Sequence, residues 1–207
     1  MDSIVLVFSF IAVILSLSVH EYAHAWMADH LGDSTAKQYG RLTLNPLKHI
    51  DLVGTILLPL FLFLASSPAL FGYAKPVPFN PFNLRSQKWG PAWVGLAGPM
   101  ANLLLVVVFG LLIRFLPVSG LTSFFFIIVL VNIGLMVFNL IPIPPLDGSK
   151  LVYALLPVSL DNFKFWLERW GFIVLLGLIF LVPGWLNYIL SPIMNSLVFW
   201  LTGYSIT

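Results

Sequence analysis

The chain has 207 residues, of which 59% are hydrophobic and 9% are charged, with a net charge of +2. Together with a mean hydropathy of +0.99, this composition excludes a water-soluble domain and predicts a membrane protein with several spans in one domain, residues 1–207. The small net charge and the lack of a basic stripe exclude nucleic acid as a partner, and the absence of cysteine excludes disulfides and thiolate metal ligands.

The first predicted element is a long helix over residues 3–31 that contains the sequence HEYAH at positions 20–24. Two histidines four positions apart lie on one face of a helix, where they can share a metal ion. Glu21 lies about 100° round the helix from His20, within reach of a water molecule at that metal. H-E-x-x-H is therefore typical of metallohydrolases, and the simpler alternative is two chance histidines at a helix end. Three ionisable side chains beside a membrane-length apolar segment are costly without a function, which favours the metal site.

The next fifty residues have a different pattern. Glycines and prolines separate short alternating stretches such as residues 39–44, which predicts short strands and turns at the membrane surface. We interpret His49 as an anchor of this loop rather than a metal ligand. Residues 52–70 form an apolar run interrupted by a glycine and two prolines, which predicts a segment that enters the membrane and returns.

The distribution of Lys and Arg supports that interpretation. If every apolar run crosses, the ten cations divide six to four, whereas a re-entrant segment at 52–70 leaves only Arg114 on the outer side. The positive-inside rule favours the second arrangement. The predicted fold is an all-α polytopic membrane protein with about five transmembrane helices, one re-entrant segment and short membrane-associated β strands. Its N-terminus lies outside and its C-terminus inside, and the predicted spans are residues 3–31, 93–115, 121–140, 163–182 and 185–201.

A third metal ligand is expected near the end of the 121–140 helix. A catalytic zinc usually takes three protein ligands and leaves one position open. Asp147 follows three prolines at the same predicted depth as the histidines, and a helix-capping aspartate is the alternative. Asn139 and Asn102 are amides within apolar helices, where an unpaired polar group is costly. Asn139 is a candidate catalytic donor to an oxyanion; interhelical hydrogen bonding is the alternative for it and the favoured interpretation for Asn102.

Three motifs together resemble the site-2 protease family of intramembrane zinc metalloproteases, as a minimal member without a PDZ or regulatory domain. They are HEYAH at 20–24, GPMAN at 98–102 and NLIPIPPLDG at 139–148, and the resemblance covers residues 15–155. It implies one Zn²⁺ per chain, held by His20, His24 and Asp147, with Glu21 as the general base. It also implies a catalytic core over residues 1–155, followed by a helix pair over residues 160–202.

The resemblance further implies the substrate. The expected partners are the lipid bilayer and single-span membrane proteins, which are cut in or near their transmembrane segments. The distribution of Lys and Arg predicts a site facing the cytoplasm, and the expected location is a bacterial plasma membrane. Residues 72–78 would form an edge strand that pairs with an unwound substrate helix. The predicted substrate-binding residues are Gly72, Tyr73, Ala74, Lys75, Pro76, Val77 and Asn102.

Two other functions remain open. A membrane zinc protease of the prenyl-peptide type takes its third ligand from a downstream glutamate, and Glu168 is the sole candidate after Glu21. A zinc transporter or metal-sensing membrane protein places its ligands at mid-membrane on broken helices, and it would leave Glu21 without a role.

Overall fold

The computed structural model describes residues 3–57, 61, 75–182 and 184–204, and the regular elements in these residues are helical. The α-helices are α1 (Ser3–His30), α2 (Thr35–Gln38), α3 (Gly90–Phe115), α4 (Gly120–Asn139), α5 (Gly148–Leu155), α6 (Asp161–Leu181) and α7 (Trp185–Thr202). Short 3₁₀ turns cover Pro46–Lys48, Pro81–Asn83 and Val158–Leu160, and a π-helical segment covers Leu52–Leu57.

The predicted β strands are wrong for the part of the chain that the structure describes, which contains no strand. Residues 39–44 form turns, because local hydrogen bonds satisfy polar groups that a strand ladder would otherwise use. Arg41 donates to the Lys48 carbonyl, and His49 Nε2 donates to the Thr43 carbonyl over 2.8 Å. The latter bond gives His49 the anchoring contact expected of it.

Most of the predicted re-entrant run and part of the predicted edge strand lie outside the described residues. Leu52–Leu57 is π-helical, and residues 75–80 have no regular structure. Pro76 and Pro78 lack the N–H groups that a ladder requires, which is a physical reason for the missing strand.

The expectation of about five transmembrane helices is also wrong. Within the described residues three helices are long and apolar enough to cross a membrane, over Val5–His30, Gly90–Phe115 and Gly120–Asn139. The first three turns of α6 carry four charged residues, and α7 contains two asparagines and a proline, which lower the apolar character of both helices. The chain is a membrane protein built around α1, α3 and α4.

Helix α7 packs against the α3–α4 pair. Val198 of α7 joins Val106 of α3 and Ile133 of α4 in a cluster of fully buried side chains. A Cβ on Gly110 would lie 2.8 Å from the Leu201 Cβ, so the missing side chain allows close approach of α3 and α7.

The direction of α7 differs from the predicted topology. Arg114, at the end of α3, donates to the Trp200 carbonyl over 3.1 Å, whereas Trp185 packs beside Ile143 in the loop after α4. Helix α7 therefore runs parallel to α3 and ends on the same side of the molecule as Arg114. The predicted topology had placed the end of this helix on the opposite side. The reason lies in α6, which packs along the same loop at Gly171 and so brings the start of α7 to that end.

Candidate metal centre

Two histidines of α1 meet one aspartate from the loop between α4 and α5. His20 Nε2 lies 3.0 Å from His24 Nε2, and Asp147 Oδ2 lies 3.2 Å from the former and 3.1 Å from the latter. The three residues are 3%, 6% and 7% exposed. Among the described residues, these three form the group whose ligand atoms lie close enough together to hold a metal ion.

Helix α3 approaches this group closely because it presents glycines to it. A Cβ on Gly98 would lie 2.5 Å from His24 Nε2 and from His20 Cε1. A Cβ on Gly95 would lie 3.0 Å from the Asp147 carbonyl oxygen. Real Cβ atoms do not approach that closely, so α3 can close over the site only with glycine at Gly98.

The loop after α4 brings Asp147 to the histidines. Its prolines cannot continue the helix, and a Cβ on Gly148 would lie 2.1 Å from the Leu140 carbonyl oxygen, so the chain turns back on itself there. Asp147 stands at the N-cap position of α5, yet its side chain makes no capping hydrogen bond. Instead, Oδ2 of its carboxylate faces the histidines. The other oxygen, Oδ1, accepts a hydrogen bond from Lys150 Nζ over 2.9 Å.

The carboxylate of Asp147 is ionised in this setting. Burial raises the pKa of the carboxyl, but His24, His20 and Lys150 together hold that pKa well below its usual range. A buried anion beside two imidazoles matches the charge that a metal cation requires.

The ring nitrogens that face away from the group fix the tautomers. His24 Nδ1 lies 2.6 Å from the Val94 carbonyl oxygen, and His20 Nδ1 lies 2.5 Å from Asn102 Oδ1. Both partners are acceptors, so the hydrogen-bond network assigns a proton to each Nδ1 and leaves each Nε2 to face the group.

A neutral imidazole protonated at Nδ1 has its lone pair on Nε2, so each ring can offer Nε2 to a metal ion. Zinc bonds of about 2.0–2.2 Å would separate tetrahedral ligands by about 3.3–3.6 Å, and the observed separations of 3.0–3.2 Å are close to that range. The donor set, two imidazoles and one carboxylate, is typical of catalytic zinc. The residues present fit a zinc ion.

A cavity of about 320 Å³ opens beside the group. Glu21, partly buried on α1, lines it and has no hydrogen-bond partner among the described residues. Asn139 lines it too, and its Nδ2 donates to the Leu135 carbonyl over 2.9 Å. The remaining wall is mostly apolar, and it includes Leu17, Val77, Phe79, Phe138, Leu146 and Leu175.

The predicted substrate-binding residues divide into four groups. Pro76 and Val77 line the cavity, while the Lys75 backbone donates to the His49 carbonyl over 2.9 Å. Residues 72–74 lie outside the described part of the chain. Asn102 is fully buried behind His20, and its amide makes an interhelical hydrogen bond, the interpretation favoured for it from the sequence.

Glu168, the ligand that the prenyl-peptide alternative requires, lies elsewhere. It lines a separate cleft with Tyr153 and Phe82, and it does not belong to the metal-ligating group formed by described residues. Burial, with a smaller effect from Glu168, raises the pKa of Tyr153 to about 12. The geometry therefore favours Asp147 over Glu168 as the third ligand.

Sequence reasoning missed three polar residues near the site. Asn132 and Ser16 are buried and hydrogen-bonded to each other, and both are polar residues inside apolar helices, a signal that could have identified them. Lys150 was identifiable from its position three residues after Asp147, where one helical turn brings the two side chains together.

Comparison with known proteins points to one class of enzyme. The family model described as "Peptidase family M50" matches residues 116–178. A Bacillus subtilis protein named "Putative zinc metalloprotease YwhC" is 37% identical over 196 residues, which cover 90% of this chain and 85% of that protein. A Mycolicibacterium smegmatis protein named "Putative zinc metalloprotease Rip2" is 29% identical over 203 residues, 93% of this chain and 71% of that protein. No solved structure matches the chain.

Proposed function

The chain belongs to peptidase family M50, the site-2 protease family of zinc metalloproteases, and from that premise we propose that it is an intramembrane endopeptidase. Its reaction is hydrolysis of peptide bonds in or near transmembrane segments of membrane proteins. The observation that carries the proposal is the convergence of the ligand atoms of His20, His24 and Asp147 at the wall of a mostly apolar cavity.

One zinc per chain would be held by these three residues. When bound, zinc polarises a carbonyl and lowers the pKa of water toward about 7. Lys150 holds the second carboxylate oxygen of Asp147, so that a single oxygen faces the histidines. The backbone carbonyl of Val94 and the amide of Asn102 hold the two rings.

Glu21 is the proposed general base. Its carboxylate lines the cavity without a described hydrogen-bond partner, so it is free to take a proton from water and return it to the leaving amine. Asn139 lines the same cavity and is the proposed donor to the oxyanion that forms on the substrate carbonyl.

The depth of the cavity supports a membrane-embedded substrate. His24 precedes the end of α1 by six residues, and Gly98 follows the start of α3 by eight. At about 1.5 Å per residue, the site lies about 9–12 Å from those helix ends.

The distribution of charge supports a site on the cytoplasmic side. Arg114 lies at the end of α3 farther from the metal centre, and the loops at the nearer end carry Lys37, Arg41, Lys48, Lys75, Arg85 and Lys88. The positive-inside rule assigns the basic end to the cytoplasm. The relatives named above come from bacteria, which supports a bacterial plasma membrane.

The test measures zinc content and cleavage of a single-span substrate in proteoliposomes. Glu21→Gln should keep one zinc per chain and lose cleavage by about 10²-fold or more, since it removes only the base. Asp147→Ala and His20→Ala should lose both zinc and cleavage.

Glu168→Gln is the matched control, because it makes the same change in the separate cleft and should leave zinc and cleavage unaltered. Full activity in Glu21→Gln would exclude Glu21 as the base. Zinc uptake into the vesicles by the wild type, without cleavage, would replace the peptidase with a transporter.

A further inference from the structure

A line of buried polar side chains joins three helices behind the metal centre. Ser16 of α1, Asn132 of α4 and Asn102 of α3 are 2%, 0% and 0% exposed. Asn132 Nδ2 lies 2.8 Å from Ser16 Oγ, and Asn102 Nδ2 lies 2.7 Å from Asn132 Oδ1. The line ends at His20, whose Nδ1 lies 2.5 Å from Asn102 Oδ1.

A backbone carbonyl sets the direction of every hydrogen bond in this line. Asn132 Nδ2 also lies 2.8 Å from the Ile128 carbonyl oxygen, which can only accept, so the nitrogen of this amide must face it. Asn132 Oδ1 then faces Asn102 and requires a donor from it. Asn102 in turn presents its oxygen to His20, which must donate from Nδ1.

His24 is held in a different way. Its Nδ1 donates directly to the Val94 carbonyl oxygen over 2.6 Å, without any intervening side chain. The orientation of His24 therefore depends on the backbone of α3, whereas that of His20 depends on side chains from two helices.

We propose that Asn102, Asn132 and Ser16 are positioning residues that fix the ring orientation and tautomer of His20, so that its Nε2 lone pair faces His24 and Asp147. This inference rests on the proposed zinc site and adds to it three residues that contact neither substrate nor metal. Each acts through the next, so the effect of a substitution on zinc affinity should decrease with distance from His20. Groups that orient metal-ligating histidines typically change metal affinity by about 10–100-fold when lost.

The experiment measures zinc affinity of the detergent-solubilised full chain by competition with a chromophoric chelator. Asn102→Leu should weaken zinc binding by about 10–100-fold. Asn132→Leu should weaken it less, and Ser16→Ala, which removes one hydrogen bond two steps away, by about twofold to fivefold. Asn102→Asp keeps an acceptor for His20 Nδ1 but loses the donor to Asn132 Oδ1, so it should retain more zinc affinity than Asn102→Leu and less than the wild type.

Ser18→Ala is the matched control for Ser16→Ala. Ser18 is equally buried on the same helix, but its hydroxyl donates to the Ile14 carbonyl of its own helix. Zinc affinity should be unchanged by its loss.

A second measurement separates positioning from packing. In zinc-loaded protein labelled with ¹⁵N-histidine, the protected Nδ1–H signal of His20 should disappear in Asn102→Leu and persist in Asn102→Asp. The Nδ1–H signal of His24, bound to the backbone, should persist in both and serves as the internal reference.

Wild-type affinity and an unchanged His20 signal in Asn102→Leu would overturn the inference, and so would equal losses in Ser16→Ala and Ser18→Ala. If Asn102→Leu fails to fold, the comparison of the two serine variants and Asn102→Asp still decides. These measurements use no substrate. A wild-type chain that binds zinc but cuts nothing would refute the proposed function and leave this inference standing.

Discussion

At Gly98 the absence of a side chain decides whether the metal centre can exist. Helix α3 passes so close to the two histidines that a Cβ would lie 2.5 Å from His24 Nε2. That atom is one of the proposed ligands, so a methyl group here would force the ring and the helix apart.

Gly98→Ala should therefore weaken zinc binding by about fivefold or more, because overpacking of this kind costs about 1–3 kcal/mol. The measurement is chelator competition, with thermal unfolding alongside it. Gly134→Ala is the control, since a Cβ on Gly134 meets nothing within 4 Å and alanine favours the helix. Equal zinc affinity in Gly98→Ala and the wild type would contradict the geometry.

How far the site could be predicted differs from residue to residue. The pairing of His20 and His24 follows from helical spacing alone, and the family assigned from the motifs is confirmed by the comparisons. Asp147 could be selected because few ionisable residues occur at that depth. Lys150 could be identified by its spacing from Asp147. The hydrogen bond from Asn102 to Asn132 joins two helices 30 residues apart in sequence, which no local pattern specifies.

Among the elements, the connection between α1 and α3 is fixed by one carboxylate. Asp33, fully buried after the end of α1, accepts hydrogen bonds from Thr35, from the Asn80 backbone over 2.6 Å and from Asn83 Nδ2 over 2.9 Å. Burial raises the pKa of Asp33, but these hydrogen bonds outweigh it and hold the pKa below its usual value. These hydrogen bonds anchor the segment around Asn80 and Asn83. That segment follows Pro76 and Val77, which line the cavity.

Asp33→Asn should lower the free energy of unfolding by about 1–3 kcal/mol, since an amide nitrogen would face donors. Because the folded pKa lies below the unfolded value of 3.8, the stabilisation is present above that pH and is lost as the pH falls toward the folded pKa. Wild type and variant should thus converge below about pH 4 in thermal unfolding. Asp29→Asn, which breaks an exposed pair with Lys37 at 3.4 Å, should change little at any pH. A constant difference between Asp33→Asn and wild type across this range would contradict the assignment.

The same connection explains why the strand prediction failed. Alternating residues such as 39–44 have the period of a strand, but a strand also requires a partner edge. Arg41 and His49 bind carbonyl oxygens within the loop, and this local pairing competes with a ladder.

At the scale of the whole molecule, the ends of α3 and α7 lie on one side and the metal centre lies toward the other. Sequence patterns located the apolar helices well. They could not give the direction of α7, because that direction depends on Gly171 and Leu175 of α6 packing against the loop after α4. Long-range packing of this kind leaves no periodic signal in the sequence.

The absence of cysteine from the chain makes this topology testable by single substitutions. Val118→Cys, between α3 and α4, and Tyr204→Cys, after α7, should react with a membrane-impermeant thiol reagent from the same side. Phe82→Cys, at the metal-centre end, should react only from the other side. All three native side chains are exposed. Labelling of Tyr204→Cys and Phe82→Cys from the same side would instead support the topology that the distribution of Lys and Arg predicts.

The two histidines also differ in whether a mutation can remove the hydrogen-bond acceptor that holds the ring. A main-chain carbonyl holds His24, and no substitution at Val94 can remove that oxygen. Asn102 holds His20 through a side chain that selection can replace. On the proposed role of Asn102, Asn132 and Ser16, substitutions at these positions would change zinc affinity and leave the HEYAH sequence itself intact.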